Sequence, residues 1–84
     1  MYWVYVLQND KRCLYKGMTN NLLRRVAEHN ANKSRGTRGK GPWQLVYSEE
    51  CKSRTDARVR EKYLKSGEGR EFLHNLLNYQ SLGS

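Results

Sequence analysis

Two short runs of aromatic and β-branched residues open the chain, Trp3-Val4-Tyr5-Val6-Leu7 and Leu14-Tyr15-Lys16-Gly17-Met18. Such runs have the composition of strands. The polar Gln8-Asn9-Asp10-Lys11-Arg12 between them fits a hairpin loop, and so short a connection makes the strands antiparallel. A chain of 84 residues has room for one domain. A domain of this size buries only roughly 60–65% of the surface its unfolded chain exposes. The core is therefore expected to be thin, a single layer of apolar side chains between a sheet and a few helices.

The first strand is expected over Tyr2–Leu7 and the second over Cys13–Met18, with Gly17 allowing a bulge or a close approach by a ligand or another backbone. Thr19 and Asn20 are good N-cap residues. Asn21–Asn32 then carries Leu22, Leu23, Val26 and Ala27 at helical spacing, with Arg25 and His29 at i and i+4 on one flank of that stripe. Lys33–Pro42 holds cations, glycines and a proline but no hydrophobic residue, so a mobile loop is expected. Trp43–Ser48 alternates as a third strand. Ser53 and Asp56 have capping-box spacing, and a helix follows from Arg54 to about Ser66, stopped at Gly67. A last helix is expected over Arg70–Tyr79. The fold class is α/β, with residues 1–80 as the domain and 81–84 as a frayed tail.

The charge is uneven. Sixteen Lys and Arg against eight Asp and Glu give +8, a balance that favours polyanionic partners, nucleic acid first. Lys11, Arg12, Lys16, Arg24, Arg25, Lys33, Arg35, Arg38 and Lys40 follow one another with Glu28 as the single acid among them. From Glu49 onward acids and bases alternate. Lys16, Lys33, Arg35, Arg38 and Lys40 are the candidate nucleic-acid contacts. The 33–40 loop carries no base-reading motif, and it reads either as a phosphate-tracking segment or as a solvated loop.

Cys13 and Cys51 are isolated, which argues against zinc. One disulfide between them is open, but two reduced, partly buried thiols are the simpler reading. Met1–Leu7 is too short for a signal peptide, and no run approaches membrane-spanning length. No membrane partner and a cytoplasmic location are expected.

Several side chains have the chemistry of phosphate transfer. Arginine offers a planar fork for two phosphate oxygens, and histidine moves a proton near neutral pH or holds a water. Arg25 and His29 therefore suit a phosphodiester site, or a basic helix surface that touches a backbone. Tyr5 and Tyr15 are either packing residues with a wet hydroxyl or proton acceptors, because nearby positive charge lowers a phenol's pKa. Glu61 lies at i+4 from Ala57 and i−3 from Leu64, on the stripe that should face the sheet. A carboxylate there is costly unless paired. It holds a hard cation such as Mg²⁺, or it pairs with Lys65 at i+4.

Taken together these residues resemble the GIY-YIG nuclease family over nearly the whole chain. Trp3-Val4-Tyr5 stands where the family has Gly-Ile-Tyr, and Tyr15-Lys16-Gly17 where it has Tyr-Ile-Gly. Arg25 matches the family's helix arginine, His29 the histidine one turn later, and Glu61 the metal-binding glutamate. Glu28-His29-Asn30 and Pro42-Trp43 are most similar to its small stand-alone, UPF0213-like branch. The resemblance implies a small antiparallel sheet flanked by helices, here three strands and three helices. It implies catalytic roles for Tyr5, Tyr15, Arg25, His29 and Glu61, with one Mg²⁺ or Mn²⁺ held by Glu61. Two departures stand out. Trp3 replaces the first glycine, and Lys16 replaces the middle isoleucine, placing a charge beside the site or on the opposite face of the strand.

The leading expectation is a metal-dependent endonuclease hydrolysing DNA phosphodiester bonds, in DNA repair or recombination. Low sequence specificity follows from the absence of a recognition helix. A nucleic-acid-binding module with little catalysis explains the charge equally well. A scaffold that binds a protein through Trp3 and Trp43 is a third reading. DNA is the expected partner, with RNA not separated from it, and the chain is a monomer or a weak homodimer.

Overall fold

In the computed structural model, residues 1–82 are described, with side chains as far as residue 77. The elements are β1 (Tyr2–Asn9), β2 (Leu14–Thr19), α1 (Leu22–Asn30), β3 (Trp43–Cys51), α2 (Arg54–Lys65) and α3 (Gly67–Leu82). The antiparallel sheet has the order β2-β1-β3. This is the expected three-stranded sheet with three helices.

β1 is the central strand, and Val4, Tyr5, Val6 and Leu7 are all buried. A strand covered on both faces reads as a continuous apolar run. Val4 and Val6 pack with Ala57, Leu64 and Leu73 from α2 and α3. Tyr5 and Leu7 point the other way, to Trp43, Leu22, Val26 and Tyr15. The expected single apolar layer is therefore corrected to two, one on each side of the sheet. The alternation that separates them is the period-2 geometry of a strand.

The elements depart from expectation where local chemistry decides. The β1–β2 turn closes on Asn9, whose Oδ1 accepts hydrogen bonds from the Lys11 and Cys13 backbone N–H groups. Asn21, not Thr19 or Asn20, caps α1, accepting a bond from Arg24 N at 3.1 Å. The buried stripe of α1 is Leu22, Val26 and His29, at i, i+4 and i+7, while Leu23 is 85% exposed. β3 breaks its alternation because its register against β1 shifts between Val6 and Leu7. Val46 and Tyr47 consequently pack on the same cluster. Gly67 does not separate α2 from a later helix. Ser66 Oγ accepts from Gly69 N at 3.2 Å and so serves as an N-cap for α3. That cap starts α3 three residues before Arg70, and α3 also runs into the expected tail. Residues 83 and 84 lie outside the described residues.

The loop expected to be mobile over 33–42 is instead held in place, together with residues 31 and 32 before it. Ser34 and Thr37 are buried. Asn32 Oδ1 accepts from Gly39 N, Asn9 Nδ2 donates to the Lys40 carbonyl, and Trp43 Nε1 donates to the Thr37 carbonyl. These bonds pin the segment as a wall over the Tyr5 face of the sheet.

Candidate active site

β1 delivers Tyr5 to the space beneath α1 and the 31–42 wall. Its phenol is 1% exposed, and its hydroxyl lies 2.7 Å from His29 Nε2. His29 Nδ1 lies 2.7 Å from Thr37 Oγ1. The imidazole is fully buried with both nitrogens engaged. Tyr15 completes the cluster, its ring centroid 4.8 Å from that of His29 and 6.4 Å from that of Tyr5. Two glycines make the space. Gly17 is the Cα partner of Tyr5, and a Cβ at Gly36 would stand 3.0 Å from the Tyr15 ring. The close approach foreseen at Gly17 is thus made by a side chain, and no bulge occurs there.

Burial, followed by the charge of Arg25, holds His29 below the ordinary histidine value. A neutral imidazole has one donor and one acceptor nitrogen, so the Tyr5–His29–Thr37 chain is directional. Both nitrogens are engaged by protein groups, which favours proton transfer over holding a water, the two roles open to this histidine. Nearby positive charge is expected to lower the Tyr5 phenol, and the opposite holds. Burial pushes its phenol up to about 12. Arg25 pulls in the opposite direction, as neighbouring positive charge should, but desolvation outweighs it.

Arg25 lies on the open side of the cluster. Its Nη1 is 3.2 Å from Glu28 Oε1, and its Nη2 donates to Ser34 Oγ at 3.3 Å. These bonds aim the guanidinium while leaving it partly exposed. Glu61, on α2, has a side chain 19% exposed, and its carboxylate is 3.5 Å from Lys65 Nζ. Its charge raises Tyr5, so it stands within electrostatic reach of the cluster.

The sequence matches the GIY-YIG catalytic domain over residues 1–75. The chain belongs to the GIY-YIG family. It is 42% identical over 66 residues to UPF0213 protein DP2720 of Desulfotalea psychrophila, a match covering 76% of this chain and 60% of that protein. It is also 42% identical over 66 residues to UPF0213 protein CPE1444 of Clostridium perfringens, covering 77% and 71% of the two chains. The solution NMR structure of UPF0213 protein BH0048 from Bacillus halodurans superimposes with a TM-score of 0.55 at 32% identity, covering 90% of this chain and 85% of that one. The chain thus spans less than two thirds of the length of the Desulfotalea relative. Family membership makes it a domain of a nuclease family. No helix among the described residues is long and apolar enough to cross a membrane.

GIY-YIG nucleases use divalent metals, and the donor set here is compatible with one. Among the described residues no three His, Cys, Asp or Glu converge as a cage. Glu61 offers a lone, largely shielded carboxylate with one long ion pair. Mg²⁺ keeps several waters and takes one or two carboxylates plus substrate phosphates. A single hard cation on Glu61, completed by water and phosphate, fits that habit.

The other predicted residues divide by face. Lys33, Arg35, Arg38 and Lys40 are exposed on the wall whose Ser34 and Thr37 turn inward. Lys16 lies on the opposite face of the sheet from Tyr15, so the GIY-YIG cluster does not include it. Sequence reasoning missed Thr37, Ser34 and Asn9. The available signal was that Ser34 and Thr37 are the only hydroxyls in a loop of cations, glycines and proline.

Proposed function

We propose that this domain hydrolyses DNA phosphodiester bonds in a metal-dependent reaction with low sequence specificity, acting in DNA repair or recombination. The observation that carries the reading is the buried chain from Tyr5 through His29 to Thr37, with Arg25 at its open end. With Thr37 accepting from His29 Nδ1–H, Nε2 accepts the Tyr5 hydroxyl. A water then attacks phosphorus, its proton passing to Tyr5 Oη while the phenol proton moves to His29 Nε2. The new P–O bond forms, the bond to the leaving oxygen breaks, and that oxygen takes a proton from solvent. Arg25 moves from Glu28 and Ser34 onto the non-bridging phosphate oxygens, which also opens the Tyr5 hydroxyl to water. Tyr15 packs against His29 and holds its plane. Glu61 would hold the Mg²⁺ or Mn²⁺, whose positive charge would offset the negative charge developing on the phosphate. The exposed Lys33, Arg35, Arg38 and Lys40 track the backbone.

One observation favours a second reading, a nucleic-acid-binding module with weak catalysis. The Tyr5 hydroxyl is buried and its phenol is pushed up to about 12. The test is incubation with labelled single-stranded, duplex and branched DNA, and with RNA, in Mg²⁺, Mn²⁺ or EDTA. Glu61→Ala and Arg25→Ala run alongside. Metal-dependent cleavage lost in both variants supports the hydrolase. Binding without cleavage, unchanged in Glu61→Ala and weakened in Arg25→Ala, identifies the binding module.

A further inference from the structure

Lys16 stands where the motif has isoleucine, and its surroundings make a site of their own. Strand alternation sends Tyr15 toward His29 and Lys16 to the other face, opposite Val6. There it lines a groove of about 610 Å³ between the β1–β2 hairpin and α3. Arg12 and Leu14 line it from the hairpin, and Arg70, Glu71 and Leu77 line it from α3. Burial, and then the charges of Arg70 and Lys65, hold the Lys16 ammonium below the ordinary lysine value. Among the described residues, Arg12, Lys16 and Arg70 form no ion pair, and Glu71 bridges to none of them.

A half-buried cation facing like charges is destabilised in its charged form, and a bound anion relieves that cost. The apolar contribution of Leu14 and Leu77 adds a surface suited to a sugar or base edge. β2 is an edge strand of the sheet. Tyr15 and Lys16 are adjacent in sequence, so the two faces they serve meet along this edge.

We propose that this groove is a second phosphate-binding site, which takes the sugar–phosphate backbone of another segment of the nucleic-acid substrate on the face of the sheet opposite Tyr5. A strand rounding the β2 edge, or the second arm of a branched substrate, reaches it. The excess of cations over acids in the chain supplies the charge complementarity. The proposal rests on the nucleic-acid binding of the proposed function and is independent of cleavage.

Fluorescence anisotropy in EDTA tests it, with no turnover to intervene. Wild type, Lys16→Ile and Arg70→Gln are titrated with a long single strand, a branched DNA and a short oligonucleotide across a range of salt. Lys16→Ile restores the motif residue and a strand-forming side chain, and thermal melting checks that both variants fold. Each variant should bind the long and branched DNAs several-fold more weakly, with the log–log salt slope reduced by about one. Binding of the short oligonucleotide should be unchanged in both and weakened by Arg25→Ala. Unchanged affinity and slope for long DNA in both variants overturns the proposal. So does a change of sedimenting mass without a change in DNA affinity, which would make the groove an interface with a second copy. Weaker binding in the variants of a protein that never cleaves DNA would leave the groove standing and remove the hydrolytic reading alone.

Discussion

Gly17 and Tyr5 are Cα partners across the β1–β2 ladder, and a Cβ at position 17 would stand 2.6 Å from the Tyr5 hydroxyl oxygen. The phenol lies across the bare backbone of the neighbouring strand. The glycine of the second motif is therefore a packing requirement of the tyrosine in the first, and the two motifs work as one cross-strand unit. Gly17→Ala should destabilise the domain by about 1–3 kcal/mol, the cost of overpacking a filled interior. It should also displace the Tyr5 hydroxyl from His29. Urea unfolding measures the first effect, and loss of cleavage exceeding the loss of folded protein measures the second.

The hydrogen-bonded chain makes Tyr5 and Thr37 separable experimentally. Tyr5→Phe removes the group proposed to accept the water proton, and cleavage should fall by about 10²–10⁴-fold. Thr37→Val keeps the shape but leaves the buried His29 Nδ1 unpaired, at a cost of about 1–3 kcal/mol. Its cleavage should fall less than that of Tyr5→Phe, because Tyr5 remains in place. Equal cleavage by wild type and Tyr5→Phe under saturating metal would remove Tyr5 from the chemistry.

The same burial predicts how stability depends on pH. His29 in the folded state lies below the ordinary value of 6.5. The unfolded chain therefore binds the proton first as pH falls. Stability from this group is complete above about 6.5 and is lost as pH falls from there toward the folded value. Tyr5 acts at the other edge. Its folded pKa of about 12 exceeds the ordinary tyrosine value of 10.0, so its contribution is complete below 10 and is lost as pH rises toward 12. Melting temperatures across pH should fall at both ends. His29→Gln should flatten the acid side, and Tyr5→Phe the alkaline side.

Much of this fold is legible in the sequence because local rules and tertiary contacts agree. The Tyr2–Leu7 run is a strand by composition, and the alternation of Val4 and Val6 against Tyr5 and Leu7 is the alternation of two cores. Glu61 between Ala57 and Leu64 falls on a largely shielded helix face, as its spacing indicates. The misses have a common cause, since each depends on a partner distant in sequence. The 33–42 segment lacks hydrophobic residues, yet Thr37 and Ser34 anchor it to His29 and Arg25. Tyr5 sits near positive charge, yet burial sets its pKa, and burial follows from the wall that this segment builds. Lys16 belongs to either face until the register with Val6 is known.

Lys65 competes for the carboxylate that a metal would use. Its ammonium is 3.5 Å from Glu61 Oε2 and is itself more than half exposed. A pair of this kind contributes about 0–1 kcal/mol to stability, so Lys65→Met should leave the melting temperature nearly unchanged. Removing a positive charge beside a lone carboxylate should, however, strengthen its hold on a divalent cation. Mn²⁺ titration followed by water-proton relaxation, without nucleic acid, should show tighter binding in Lys65→Met and its loss in Glu61→Gln. Binding that survives Glu61→Gln unchanged would move the metal away from this carboxylate. Tighter binding in Lys65→Met, lost again in the Glu61→Gln double variant, would place Glu61 as the protein ligand and Lys65 as the group that sets its affinity.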